Sequence, residues 1–443
     1  MADRATWASR IGFVLAAAGA AVGLGAIWKF PWLAGSNGGS AFVVPYVILS
    51  LTLGFVFLAA EITLGYLGRG SIVTVMKKLA GAKWLPVGYM GVATGLLVLS
   101  FYSVIGGWTL AYLVDAILGQ GLITDQAELG ARFGALSGNP TLAIGYQALF
   151  MALTAGVVAL RVSSGIERLS KILMPALFLL MLILIIRGLT LPGAAEGLKY
   201  LFDFRPEAFT RESLYAALGF TFFSLCVGCG CMMTYGSYLA PGSRIFKSCG
   251  SIVALTVIAS ILGALMVMPP VFAFGLDPAA GPGLTFVTMP AVFAQLPFGN
   301  LFAVAFYACL SFAAITSSVS LLELDAAFLV DEHGFSRAGA SVACSVACMA
   351  VGIFCALSFG PLADAKFLGK NFFDWCDFLT SNLSLPIGGL AVAILAGVFC
   401  WPKVAGAITA TESVPAWLLK VFRALLVVAC PILVLAVLIT GLI

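Results

Sequence analysis

One histidine, His333, occurs in 443 residues, and charged side chains make up only 9% of the chain. A single imidazole builds no histidine-rich metal centre, and the apolar segments show no His/Asp/Glu metal cluster or nucleophile–base pair, which speaks against an integral-membrane enzyme. No glycine-rich phosphate loop is present, which removes nucleotide hydrolysis as an energy source. Basic residues stand singly, with no basic run and no aromatic platform between them, so nucleic acid has no footprint. There is no polar linker, low-complexity tract or stretch that reads as a soluble domain. The sequence also predicts no cleavable leader: the first apolar stretch is too long, lacks a clean small-residue cleavage site, and is expected to remain as an anchor.

What the chain has instead is hydrocarbon. Hydrophobic residues make up 62% of it, and the mean hydropathy is +1.10. That composition predicts an all-α polytopic membrane protein. Eleven apolar segments meet the length for crossing, at about residues 11–34, 41–67, 87–116, 141–160, 168–187, 212–238, 247–273, 300–330, 337–358, 375–399 and 420–441. Arg4, Arg10, Lys77, Lys78, Lys83, Arg161, Arg168, Lys171, Arg244, Lys247, Lys403 and Lys420 fall on one side if the segments alternate. The positive-inside rule makes that side the cytoplasm and puts the N-terminus there. The loops at 117–140, 188–211 and 275–299 belong to the other side; the second half of the last is expected to form a short helix over an outer vestibule. The 11 cysteines lie mostly in apolar segments, where cysteine is a small hydrophobe, and no disulfide framework is expected.

Two segments resist being continuous helices. In Gly19-Ala-Ala-Val-Gly-Leu-Gly-Ala-Ile-Trp-Lys-Phe-Pro31, two glycines flank Leu24, and Lys29 and Pro31 follow. A lysine at that depth costs roughly 2.5–3.5 kcal/mol and calls for a partner or water. In the sixth segment, Phe220-Thr-Phe-Phe-Ser-Leu-Cys-Val-Gly-Cys-Gly-Cys231 carries Gly228 and Gly230 at its centre. A break in mid-membrane frees backbone N–H and C=O groups that lipid cannot satisfy, so protein, an ion or a solute must. The two breaks lie five segments apart, the offset of an inverted repeat with a midplane binding site. Glycines that merely let helices pack closely are the alternative.

The chain resembles the bacterial neurotransmitter:sodium symporter family over residues 4–400. The resemblance rests on Arg10 to Gly25, Phe30-Pro31, Asn37-Gly-Gly39, Ala41-Phe42, Pro45-Tyr46, Glu61, Gly65, Tyr102, Trp108-Thr109, Gly165-Ile-Glu-Arg168, Thr234-Tyr-Gly-Ser-Tyr238, Thr316-Ser-Ser318, Phe373-Asp374, Asp377 and Thr380-Ser-Asn382. It implies the leucine-transporter (LeuT-like) fold: an inverted five-helix repeat, about 11–187 and 212–399, with discontinuous first and sixth helices. Residues 401–443 would hold the eleventh transmembrane helix and the loop before it. It implies a sodium site of Gly19, Val22 and Ala313 carbonyls with Thr316 and Ser317 hydroxyls. It implies a substrate site in which the Leu24 and Gly25 amides and the Tyr102 hydroxyl hold a carboxylate. Carbonyls of Ala21, Phe223 and Ser224, near Cys226, would receive an ammonium, and Val98, Cys229 and Leu321 would line the side-chain pocket. Lys29 and Asp377 would form an outer gate with Phe223 as lid, and Arg4 with Asp331, near Trp7 and Tyr238, an inner one.

The sequence departs from the family pattern in places. Ala26 and Thr256 stand where two asparagines normally build a first sodium site, so that site is expected to be degraded and one Na⁺ to suffice. Lys29 replaces an arginine, giving a point charge where a planar fork is usual. Phe220 replaces a glutamine of the family's chloride site and Ser260 stands where an acid is common, which leaves chloride open. Cys226, Cys229 and Cys231 form a C-x-x-C-x-C cluster, readable as a metal or redox site or as small residues widening a pocket. The resulting expectation is a sodium-coupled symporter of the bacterial inner membrane, with no catalytic residues, importing an amino acid or related small zwitterion. A non-transporting sodium-dependent sensor on the same fold, and a proton-coupled transporter of an amine or sulfonate-type solute, remain alternatives. The sequence does not speak to oligomeric state.

Overall fold

The computed structural model describes residues 5–281 and 283–442. Ten helices among them are long and apolar enough to cross a membrane. They are α1 Arg10–Ser36, α2 Ser40–Gly68, α3 Ala82–Ile117, α4 Pro140–Ala159, α5 Ser163–Leu189, α8 Ile245–Ala273, α9 Gly299–His333, α10 Arg337–Leu357, α11 Phe372–Phe399 and α12 Ala416–Ile439. Between α5 and α8, the sixth expected span is present as two half-helices, α6 Arg211–Ser224 and α7 Cys231–Ser237. The expected short helix in the 275–299 loop spans Leu284–Ala294, and the Tyr307 hydroxyl of α9 ties it down by donating to the Thr285 carbonyl at 3.0 Å.

Local chemistry sets these ends. Ser9 caps α1 by accepting the Gly12 amide. Asn139 caps α4 just ahead of Pro140, and Ser336 caps α10. Thr210 and Ser213 form a reciprocal capping box at the start of α6. At the far end of α9, Gly334 takes the left-handed conformation that stops the helix.

Burial separates the centre from the rim. The most apolar windows of α1 and α3 are 83% buried, that of α12 only 22%. At the centre α9 packs along both α3 and α1, while α2 flanks α6 and α7. Peripheral α5 leaves Ile172, Leu179 and Ile186 exposed at helical spacing, an apolar face that suits a hydrocarbon environment.

Both breaks are dictated by neighbours. Gly23 has φ +22° and ψ −164° inside α1, and a Cβ there would lie 2.3 Å from Ser317 Oγ and 3.1 Å from Tyr102 Oη. No side chain fits. At Gly228, φ is +101°, and a Cβ would stand 2.2 Å from the Leu385 carbonyl oxygen of α11. Glycine at these positions therefore serves close backbone approach as well as conformational freedom.

Candidate functional site

The two breaks face each other across a small central cavity of about 40 Å³. Its walls come from the α1 break (Ala20, Ala21, Gly23, Gly25), from α3 (Val98, Tyr102), from the sixth-span break (Phe223, Cys226, Cys229), from α9 (Ser317, Leu321) and from Leu385 of α11. Eight of the ten expected substrate residues lie here: Ala21, Gly25, Val98, Tyr102, Phe223, Cys226, Cys229 and Leu321. Leu24 takes part through its backbone, its amide donating to the Tyr102 hydroxyl at 3.1 Å. Ser224 turns its side chain elsewhere, toward Tyr46, whose hydroxyl lies 3.5 Å from Ser224 Oγ and 2.9 Å from Ser260 Oγ. Ala20, Gly23, Ser317 and Leu385 line the cavity without having been anticipated in the substrate set.

Hard oxygens gather beside this cavity. Ser317 Oγ lies 3.1 Å from the Gly19 carbonyl and 2.8 Å from that of Ala20, across nearly 300 residues of chain. Thr316 Oγ1 lies 3.0 Å from the Ala313 carbonyl. A Cβ on Gly19 would come within 3.1 Å of Thr316 Cβ, so the Gly19 backbone abuts that side chain. The Val22 carbonyl accepts the Gly25 amide and so belongs to the same turn as the break. Uncharged oxygens on two helices, several freed by a helix interruption, match what a small monovalent cation needs. Ala26 is fully buried and brings no polar side chain, and the Thr256 hydroxyl donates back to the Ile252 carbonyl.

The cysteine cluster has separate employments. Cys226 Sγ donates to the Ala20 carbonyl at 3.2 Å, stitching one break to the other, and Cys231 Sγ donates to the Ser320 carbonyl at 3.5 Å. All eleven cysteines are free, and among the described residues no group of three or more histidine, cysteine or acidic side chains is arranged to hold a metal ion.

A second, larger cavity of about 400 Å³ opens beyond the first, lined by Lys29, Leu33, Glu212, Phe220, Ser381 and Asn382 among others. Phe223 and Leu385 border both cavities and form the partition between them. The Lys29 ammonium sits 4.4 Å from the centre of the Phe223 ring, a cation–π contact. Among the described residues no salt bridge joins Lys29 to Asp377; Asp377 Oδ1 accepts the Ser381 hydroxyl at 2.8 Å. The charge on Lys29 thus meets an aromatic face in place of the carboxylate expected from the sequence.

At the opposite end, Trp7 plugs the bundle. Its ring donates to the Tyr235 carbonyl at 3.0 Å, its amide donates to the Tyr238 carbonyl at 3.1 Å, and it packs edge-on against both tyrosines. Arg4, half of the expected inner gate, lies outside the described residues. Asp331, the other half, accepts the Ser71 amide at 2.6 Å.

Buried acids hold this framework, and only some were singled out from the sequence. Glu61 Oε1 accepts the Gly228 amide at 2.6 Å, and the amides of Gly230, Met232 and Met233 surround the same carboxylate. One carboxylate oxygen thereby satisfies a backbone N–H group freed where the sixth span breaks. Glu323 takes both guanidinium nitrogens of Arg337, at 3.1 and 2.7 Å, and the Tyr238 hydroxyl at 2.6 Å. Glu167 binds Lys171, the Ser9 hydroxyl and the Ala8 amide, anchoring the N-terminal segment to the start of α5. The available signal was the cost of an acid inside an apolar span, which marks each as partnered without naming the partner.

Comparison with known proteins agrees with this geometry. A family model described as the sodium:neurotransmitter symporter family matches residues 4–122 and 138–443. The chain is 45% identical over 389 residues to an uncharacterised sodium-dependent transporter of Bacillus subtilis, YhdH, covering 88% of this chain and 86% of that one. It is 31% identical over 407 residues to an uncharacterised sodium-dependent transporter of Haemophilus influenzae, covering 89% of each. The solved structure of MhsT in complex with L-phenylalanine superposes with a TM-score of 0.92 at 39% identity, over 99% of this chain and 100% of that one.

Proposed function

The chain belongs to the sodium:neurotransmitter symporter family, so it is a sodium-coupled symporter of a small molecule and not an enzyme, and from that premise we propose that its cargo is an amino acid or related small zwitterion. The observation that carries this reading is the place of the central cavity: it lies between the two helix breaks, with Ala21, Gly23, Gly25 and Tyr102 on its walls beside Val98, Cys229 and Leu321. The Leu24 and Gly25 amides with the Tyr102 hydroxyl receive the carboxylate. The Ala21, Phe223 and Ser224 carbonyls, beside Cys226, receive the ammonium. Val98, Cys229 and Leu321 take an apolar side chain, a reading supported by the likeness to a protein solved with L-phenylalanine. One sodium ion binds the Gly19, Val22 and Ala313 carbonyls with the Thr316 and Ser317 hydroxyls. Ala26 and Thr256 bring no amide oxygens for a second.

Transport proceeds by alternating access between two five-helix halves, about residues 11–187 and 212–399, with the eleventh helix at 401–443 outside them. Sodium ties α1 to α9 and holds the cavity open on the vestibule side. Cargo then draws in Phe223, and Lys29 shifts between the Phe223 ring and Asp377 as the outer gate. Loss of the Trp7 plug and of an Arg4–Asp331 pair opens the inner end, where low sodium releases the ion. The Lys and Arg bias of the loops supports a plasma-membrane protein with a cytoplasmic N-terminus.

The test is thermal melting of purified protein against amino acids, small amines and sulfonates, with sodium or choline and with chloride or gluconate, followed by counterflow in liposomes. Sodium-dependent stabilisation by amino acids, abolished by Thr316→Ala with Ser317→Ala, is the expected result. Undiminished sodium dependence in that double variant overturns the cation site. Binding without counterflow overturns transport in favour of a sensor.

A further inference from the structure

Asp325 lies in α9, eight residues past Ser317 and four past Leu321. At about 1.5 Å per residue it is about 12 Å farther along the helix than the sodium-site hydroxyl, and it shares a face with the cavity-lining Leu321. The residue is 1% exposed, and neither carboxylate oxygen has a hydrogen-bond partner. Glu61, Glu167 and Glu323, the comparable buried acids, all have partners. Asp325 occupies a notch in α3 opened by Gly95, where a Cβ would lie 3.1 Å from Oδ1. The titratable groups facing it are thiols: Cys229 and Cys231 at the sixth-span break and the start of α7, and Cys344 and Cys348 from α10. No cationic side chain among the described residues acts on it, and α3 approaches it at Gly95. Glu323, two residues earlier, is committed to Arg337 and Tyr238.

An ionised carboxylate placed there has nothing to offset its lost hydration, so the group keeps its proton while this end of the bundle is closed. We propose that Asp325 is a proton-binding site of the inner pathway, neutral while α7 and Trp7 seal that end and discharged when they move and water enters. In the discharge step the O–H bond breaks heterolytically, the electron pair stays on the carboxylate, and the proton passes to the entering water. On closing, the proton returns from the same aqueous side. Opening and proton release are then linked reciprocally: alkaline conditions on that side favour the open form and acid conditions the sealed one. The linkage is independent of which cargo is carried and adds to the sodium coupling.

Hydrogen–deuterium exchange of segment 231–237 in the wild type and in Asp325→Asn, compared at each pH, tests the linkage without cargo. Relative to the variant, wild-type exchange is expected to rise with pH by up to about tenfold per unit, the limit for one proton. In parallel, infrared spectra in a Glu61→Gln background are expected to show a protonated carboxyl band that titrates as exchange rises. Identical pH profiles in the two proteins overturn the proposal. So does the absence of a titrating band, which needs no substitution at Asp325. Sodium-dependent melting is expected to survive in Asp325→Asn, so a failed proton linkage is distinguishable from a failed sodium site.

Discussion

Gly23→Ala puts one methyl group at the point where the α1 break, the sodium-site hydroxyl and the Tyr102 hydroxyl converge. The added carbon would stand 2.3 Å from Ser317 Oγ and 3.1 Å from Tyr102 Oη, on a backbone at φ +22° and ψ −164°. Holding a non-glycine residue in such a conformation costs about 1–3 kcal/mol. Overpacking a filled site costs about 1–3 kcal/mol more. Part of this is relieved by pushing Ser317 away from the Gly19 and Ala20 carbonyls, which removes an oxygen from the cation site. At about 100 times its Kd, sodium adds about 2.7 kcal/mol to stability. The variant is expected to lose most of that response as well as basal stability. Melting curves across a sodium titration, with choline as the replacement cation, read both effects. Gly145→Ala is the control: nothing lies within 4 Å of a Cβ on that α4 glycine, so the same chemical change is expected to stabilise by about 0.5–1 kcal/mol. Combining Gly23→Ala with Ser317→Ala removes the oxygen at 2.3 Å and should return some basal stability without restoring the sodium response. A Gly23→Ala protein that keeps the full sodium-dependent shift would refute the argument that this break positions the cation ligands.

Three further outcomes follow from named contacts. Tyr102→Phe removes the hydroxyl that would donate to the cargo carboxylate; losing a hydrogen bond to a charged group, about 1.5–3 kcal/mol, should weaken cargo binding by about one to two orders of magnitude, and an unchanged Kd would remove Tyr102 from the site. Glu61→Ala strips the carboxylate from the Gly228 amide and is expected to lower melting stability by about 1.5–3 kcal/mol, with faster hydrogen exchange confined first to 225–231. Arg337→Met leaves Glu323 buried and without its cation, a loss of about 3–5 kcal/mol that Glu323→Gln should largely restore; failure of that second change to help would mean the pair is not what holds this end.

How far the sequence reaches depends on the kind of interaction. The spans were legible because a membrane imposes a simple length and hydropathy rule on each segment independently, and their ends differ from the structure by only a few residues, as with 141–160 against Pro140–Ala159. The two breaks were legible because their glycine pairs stand five segments apart, the offset of an inverted repeat, with Lys29 and Pro31 beside the first; a glycine pair alone does not break a span, as Gly106-Gly107 inside α3 shows. The cavity residues came from family likeness, a pattern that carries tertiary information no single helix contains.

Pairing across the bundle was not legible in the same way. Lys29 reads as half of an ion pair, yet which neighbour it meets depends on a few ångströms of helix tilt, and in this structure that neighbour is the Phe223 ring. Ser224 reads as a backbone carbonyl of the cargo site, and nothing in its local sequence tells that its hydroxyl lies toward Tyr46. Glu61, Glu323 and Asp325 are equally anomalous in an apolar span, and nothing in their local sequence tells that the first meets peptide amides, the second an arginine and a tyrosine, and the third no hydrogen-bond partner. Hydropathy is a property of each residue and is written in the chain. Whether a buried charge is answered is a property of the space between helices, and packing alone decides it.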